Sequence, residues 1–128
     1  MKKIQAPAVA GLFYPEDPEQ LRHQVQQFIA AAATERVAAP KALIAPHAGY
    51  IYSGPIAGNA YALLRPLANV ISRVVILAPA HRMALSGLAL SSAALFRTPL
   101  GDIEVDEEGL ESILDLPQVR RLDAAFEN

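Results

Sequence analysis

The stretch ALIAPHAGYIYSG, residues 42–54, decides how the rest of this sequence is interpreted. Its apolar start predicts a buried strand, Pro46 ends that strand, and His47 follows at once. The stretch SRVVILAPAH, residues 72–81, repeats this form, with apolar residues, then Ala-Pro, and His81 after one further residue. Two histidines therefore follow two predicted strands of the same type.

A helix is predicted between these strands, in SGPIAGNAYALLRPLA at residues 53–68. Ser53 or Gly54 is its expected N-cap, with Pro55 at the first helical position and Pro66 as its stop. Strand, helix and strand in this order predict a βαβ unit. The fold class is therefore α/β, with a sheet that is at least partly parallel.

The remaining pattern continues this alternation of helices and strands. An earlier helix follows Asp17 as N-cap and Pro18, with apolar residues on one face at Leu21, Val25, Phe28, Ile29 and Ala32, and TERVAAP (residues 34–40) ends it. Further strands are predicted in SGLALSSAAL (residues 86–95) and GDIEVD (residues 101–106), and a short helix capped by Asp106 is predicted in DEEGLESILD (residues 106–115).

The amino-acid composition limits the classes of protein to which this chain can belong. The chain has 128 residues, 52% of them hydrophobic, and a net charge of −2, which is typical of one globular unit. Its 11 Lys and Arg residues are scattered and outnumbered by 13 acidic ones, so we expect no nucleic-acid partner. There is no cysteine, no apolar segment behind the N-terminal lysines, and no run long enough to span a membrane. We therefore expect a cytoplasmic protein without a membrane partner.

His47 and His81 form a candidate metal site. The carboxyl ends of parallel strands meet at one edge of a sheet, which is where α/β sheets bind ligands. Neutral imidazole is a ligand for iron, copper or zinc, although an isolated histidine after a strand is more often a structural capping residue. A catalytic site usually needs a third protein ligand. The carboxylates available for it, which we expect to be solvated instead, are Asp102, Glu104 and Asp106.

Other residues near His47 are candidates for a pocket. Tyr50, Tyr52 and Tyr61 offer hydroxyl groups for a pocket wall, although packing of their rings explains them equally well. Gly49 is expected to allow a turn with positive φ, and the start of the following helix is a candidate anion site. His23 lies off the apolar face of the first helix, so we expect it at the solvated surface.

Four blocks resemble the Memo family in order and spacing: PAVAGLFYP (7–15), LIAPHAGYIYSG (43–54), VVILAPAH (74–81) and FRTPLGDIEVD (96–106). That family, which includes proteins of the AmmeMemoRadiSam system protein B type, is related to class III extradiol ring-cleaving dioxygenases. The resemblance implies a three-layer α/β/α fold with a dioxygenase-subunit-like sheet. It also implies that His47 and His81 are metal ligands, and that the ion is Fe(II) or copper, or else zinc. The third block departs from the family at Ala78, and the residue after that block departs at Arg82, which would attract anions.

The resemblance further implies that the chain, residues 1–128, is the N-terminal portion of a single Memo-like domain. The third ligand and the acid–base histidines would then lie beyond Asn128, and the catalytic residues stay unassigned. We expect such a chain to have an incomplete site and to self-associate through uncovered apolar surface.

Three functions are implied. The first is a metal-dependent oxidoreductase of the dioxygenase type, with Tyr50, Tyr52 and Arg82 binding a small-molecule substrate. The second is a non-catalytic adaptor that binds a peptide or partner protein in the same pocket. The third, implied by the family's genomic neighbourhood in microbes, is a scaffold component that modifies or assists a radical-SAM partner protein.

Overall fold

The computed structural model describes residues 1–33 and 38–127. These residues form two units. A sheet unit combines Met1–Ala8 with the chain from Val75 onward, and a helical unit comprises Val9–Val74. Part of the predicted helix-ending segment TERVAAP, residues 34–37, lies outside the described residues.

The helical unit contains helix α1 (Pro18–Ala30) and helix α2 (Tyr50–Ala62), followed by a 3-10 turn at Arg65–Leu67. Helix α1 begins as predicted, because Pro18 occupies its first turn and the Asp17 carboxylate accepts from the Gln20 N–H at 2.8 Å. Leu21 on its apolar face is buried, and His23 is exposed as expected. The sequence therefore predicted both the start and the inward face of this helix.

The two helices pack at glycine residues of α2. A β-carbon on Gly58 would lie 2.7 Å from the Phe28 carbonyl oxygen, and one on Gly54 would lie 2.4 Å from the Phe28 ring. Such distances are shorter than any real contact of a β-carbon, so only glycine permits this approach. The contact of α1 with α2 therefore depends on the absence of side chains at positions 54 and 58.

The predicted start of α2 was wrong. Its N-cap is Gly49, one turn before Ser53 and Gly54, and Pro55 lies inside the helix. The earlier start is stabilised by a contact remote in sequence, since the Tyr50 N–H donates to the Phe13 carbonyl at 2.7 Å. Gly49 has φ −54°, so the expected positive φ was also wrong.

The described residues of the sheet unit form five strands: β1 (Ile4–Gln5), β2 (Leu88–Leu90), β3 (Leu95–Thr98), β4 (Gly101–Glu104) and β5 (Val119–Arg121). Strand β3 pairs in parallel with β1 and antiparallel with β4, whereas β2 pairs in parallel with β5. Helix α3 (Glu107–Ile113) begins at the predicted cap Asp106, whose carboxylate accepts from the Gly109 N–H. Helices with partly parallel strands confirm the α/β class.

The two strands predicted before His47 and His81 were wrong. Residues 42–47 and 71–80 have no regular secondary structure, and Ile76 is 83% exposed. A strand exists only through hydrogen bonds to a neighbouring strand, and within the described ranges neither segment takes part in a ladder. The βαβ unit predicted across these segments is therefore not formed. Within residues 1–33 and 38–127, no helix is long and apolar enough to cross a membrane.

Candidate functional site

His47 lies in the helical unit, two residues before the N-cap of α2, and is exposed. The backbone that follows it is held by two different elements. The Ser53 hydroxyl donates to the Ala48 carbonyl at 2.6 Å, and the Tyr50 N–H donates to the Phe13 carbonyl. The histidine therefore projects from a turn whose next three residues are fixed by hydrogen bonds.

His81 lies in the sheet unit, at the start of a bend that follows the irregular apolar segment, and it is also exposed. Arg82 is its exposed neighbour. His47 and His81 thus belong to different units. Their meeting at a single metal ion stays a prediction.

The tyrosines occupy different environments. Tyr50 is half-buried, with its ring centroid 5.7 Å from that of Tyr14 and 5.9 Å from that of Phe28. Burial raises the pKa of the Tyr50 phenol above its ordinary value, and the neighbouring Tyr14 and Tyr61 raise it further. Tyr52, by contrast, is 81% exposed.

A small cleft of about 90 Å³ lies between α1 and α2, beside their contact. Its walls include Phe28 from α1 and Tyr50, Gly58 and Tyr61 from α2. Two of the three predicted pocket tyrosines therefore adjoin one cavity. This volume is well below the roughly 300 Å³ of a typical small-molecule pocket.

At the N-terminus of α2, the candidate anion site, three of the first four N–H groups are bonded within the protein. The N–H groups of Tyr52 and Ser53 donate to the Gly49 carbonyl, and that of Tyr50 donates to Phe13. Pro55, which was expected to open the helix, lies in its interior and carries no N–H. These donors are used within the protein.

The acidic residues weighed as a third ligand are all exposed, and two of them have structural roles. The Asp102 carboxylate forms a two-point ion pair with the Arg97 guanidinium, at 2.8 and 2.9 Å, across the β3–β4 hairpin. Hydrogen bonding to Arg97 holds the pKa of Asp102 below its usual value. Glu104 is exposed on β4, and Asp106 caps α3. The expected exposure of all three residues is confirmed, and Asp102 in addition pairs with an arginine.

Two exposed imidazoles fit a first-row metal ion by donor type. They do not complete its coordination, since across the part of the chain that the structure describes no three His, Cys, Asp or Glu residues form a group able to hold an ion. The residues present therefore match a metal site only in the type of donor atom that they offer.

Sequence reasoning missed two sets of residues. Phe13 and Ser53 fix the turn after His47, and Lys3, Ser92 and Asp123 form a polar cluster in the sheet unit. Lys3, Ser92 and Asp123 are far apart in sequence, as are Phe13 and the turn that it holds. Ser53 belongs to the start of α2, which local patterns misplaced. The one local signal was Ser53, which was interpreted as an N-cap.

These features define an α/β protein in which two exposed histidines, each shortly after an Ala-Pro pair, are the candidate ligands. The sequence model of the Memo family, described as Memo-like protein, matches residues 5–128. The chain belongs to the Memo family.

Relatives from distant organisms match the same region. The chain is 38% identical over 122 residues to a MEMO1 family protein of Methanocaldococcus jannaschii, an alignment that covers 88% of this chain and 42% of that protein. It is 43% identical over 99 residues to Protein MEMO1 of Xenopus laevis, covering 77% of this chain and 32% of that protein. The chain thus spans less than half the length of either relative.

Proposed function

We propose that this chain supplies His47 and His81 as two ligands of one non-heme metal ion in a Memo-type oxidoreductase. The observation that carries the proposal is the pair of exposed imidazoles, each of which follows an apolar segment and an Ala-Pro pair in a Memo-family chain. Imidazole suits iron, copper and zinc alike, and the relation of the Memo family to extradiol dioxygenases favours Fe(II) or copper, with zinc as the third candidate. When bound, such an ion supplies redox or Lewis-acid chemistry of the kind used by extradiol dioxygenases.

The chain's own residues would bind and orient the substrate. The Arg82 guanidinium, next to His81, suits an anionic group, because its planar fork donates two hydrogen bonds to one carboxylate. The Tyr52 hydroxyl is exposed and both donates and accepts hydrogen bonds. The half-buried Tyr50 would contribute a neutral phenol, since its raised pKa keeps the proton in place at physiological pH. A small electron-rich, anionic or phenolic substrate matches this set.

Metal titration by isothermal calorimetry tests the proposal. We expect one Zn²⁺ or anaerobic Fe²⁺ per chain, and at least tenfold weaker binding in His47→Ala and in His81→Ala, since each variant removes one of few ligands. His23→Ala is the matched control, because His23 is the third histidine and is exposed on α1. If the metal affinity of all three variants equals that of the wild type, the assignment of His47 and His81 as ligands is wrong. Oxygen uptake with a panel of catechols then tests the dioxygenase chemistry.

A second candidate function is that of an adaptor for a peptide or a partner protein. It is favoured by exposed apolar side chains on α2, among them Ile51, Tyr52 and Ile56. Exposed apolar patches of this kind often mark interaction sites. Binding of a partner, such as a radical-SAM protein in microbes, that survives chelation of metal and is lost in Tyr52→Ser would support this candidate. Binding that requires metal would favour the first one.

A further inference from the structure

Ser53 is an almost fully buried polar residue in the first turns of α2. It is 5% exposed, and its hydroxyl donates to the Ala48 carbonyl at 2.6 Å, with the Gly49 carbonyl at 3.3 Å. A hydroxyl has a single proton, so the shorter contact to Ala48 is the principal hydrogen bond. This bond reaches back from the helix to the residue that directly follows His47.

The opposite side of the same turn is held by Phe13. Its carbonyl accepts from the Tyr50 N–H at 2.7 Å, and its own N–H donates to the Val9 carbonyl at 2.9 Å. A β-carbon on Gly49 would lie 3.5 Å from the Phe13 carbonyl oxygen, an ordinary contact distance. Residues 48–50 are therefore held between α2 and the turn at residues 9–14.

We propose that Ser53 is a positioning residue for His47. Without the hydroxyl, the Ala48 carbonyl would lose its bond, and the backbone after His47 would sample more conformations. A ligand attached to a mobile backbone loses more conformational entropy when it coordinates an ion, so affinity falls. The part of this proposal that concerns metal rests on the proposed function, whereas the part that concerns the turn does not.

The competing explanation is purely structural. Serine in a helix often donates to a carbonyl of the preceding turn, and a buried hydroxyl needs a partner wherever it lies. Ser112 offers a matched comparison, because its hydroxyl donates to the Gly109 carbonyl at 2.7 Å in α3, far in sequence from either histidine. Ser53→Ala and Ser112→Ala each remove one serine–carbonyl bond from a helix.

The first test uses the full chain without metal. In Ser53→Ala, amide hydrogen exchange measured by NMR should be about fivefold faster at Tyr50 and at position 53, which is the effect of losing one hydrogen bond. Exchange at the amides of Leu21 in α1 and of Ala31, its C-cap, should stay unchanged, as should exchange at Tyr50 in Ser112→Ala. Equal acceleration of α1 and of the turn would show a general loss of stability and overturn the positioning role, and so would unchanged exchange at the turn.

The second test is a Zn²⁺ titration of the same variants. We expect about fivefold weaker binding in Ser53→Ala and none of this loss in Ser112→Ala. Unchanged Zn²⁺ affinity in Ser53→Ala, while His47→Ala weakens binding, would overturn the link between the turn and the ligand. Unchanged affinity in His47→Ala would instead overturn the proposed function, and the exchange data would still decide whether Ser53 fixes the turn.

Discussion

The ammonium group of Lys3 lies 2.6 Å from the Asp123 carboxylate, and this ion pair joins residues 120 positions apart. The same carboxylate accepts from the backbone N–H of Ser92 at 2.7 Å and from its hydroxyl at 2.5 Å. Asp123 begins the 3-10 turn Asp123–Phe126, Lys3 precedes β1, and Ser92 follows β2. One carboxylate therefore ties together three segments of the sheet unit.

This cluster should make the stability of the folded state depend on pH in the acidic range. Hydrogen bonds from Lys3 and then Ser92 hold the pKa of Asp123 well below its usual value. A carboxylate whose pKa is depressed in the folded state stabilises that state above the unfolded pKa, about 3.9, and this contribution is lost as pH falls below it. We expect Asp123→Asn to lower the urea midpoint at neutral pH, and we expect the difference from wild type to shrink as pH falls below about 4.

Asp115→Asn controls for the lost charge, because Asp115 is an exposed carboxylate of the same unit. A difference between wild type and Asp123→Asn that stays constant from neutral pH to about pH 3 would show that ionisation of Asp123 does not stabilise the fold.

The glycines of α2 give a graded prediction about helix packing. An alanine at position 58 meets the Phe28 backbone carbonyl, which cannot move without its helix, whereas one at position 54 meets the end of the Phe28 ring, which can rotate. Gly58→Ala should lower the free energy of unfolding by about 1–3 kcal/mol, and Gly54→Ala should lower it less. Circular dichroism during urea unfolding measures both. Glycine to alanine in an unconstrained helix stabilises by about 0.5–1 kcal/mol, so a gain of that size at position 58 would contradict the packing.

The Tyr50 phenol should ionise at a higher pH than an ordinary tyrosine. Its raised pKa, caused first by burial, places its phenolate step above the ordinary tyrosine value of about 10. In an ultraviolet absorbance titration, Tyr50→Phe should lose the step at the highest pH, whereas Tyr52→Phe should keep it. Because the unfolded phenol ionises first, stability should fall as pH rises above about 10, and less so in Tyr50→Phe. Loss of the late step in Tyr52→Phe would reverse the assignment.

Local patterns predicted the elements whose causes are local. Asp17 and Asp106 cap helices within three residues of themselves, and their carboxylates make the expected bonds to Gln20 and Gly109. Leu21 is buried on the predicted apolar face of α1. These features depend on neighbours in sequence, so the sequence alone was sufficient.

Contacts remote in sequence account for what was missed. Helix α2 begins earlier than predicted because the Phe13 carbonyl accepts from the N–H of Tyr50, 37 positions later. The proline at position 55, from which the helix start was predicted, gave no indication of that bond. Apolar composition at residues 41–45 and 72–81 predicted burial but could not supply the hydrogen-bond partner that a strand requires. At the site, His47 and His81 are both exposed, and their joint binding of metal is a prediction.

The most direct test of that prediction is an NMR titration of the histidine side chains with Zn²⁺. We expect the imidazole signals of His47 and His81 to change together and to saturate at one ion per chain, while the signal of His23 stays in place. Changes at only one of the two, or equal changes at His23, would contradict a shared metal site.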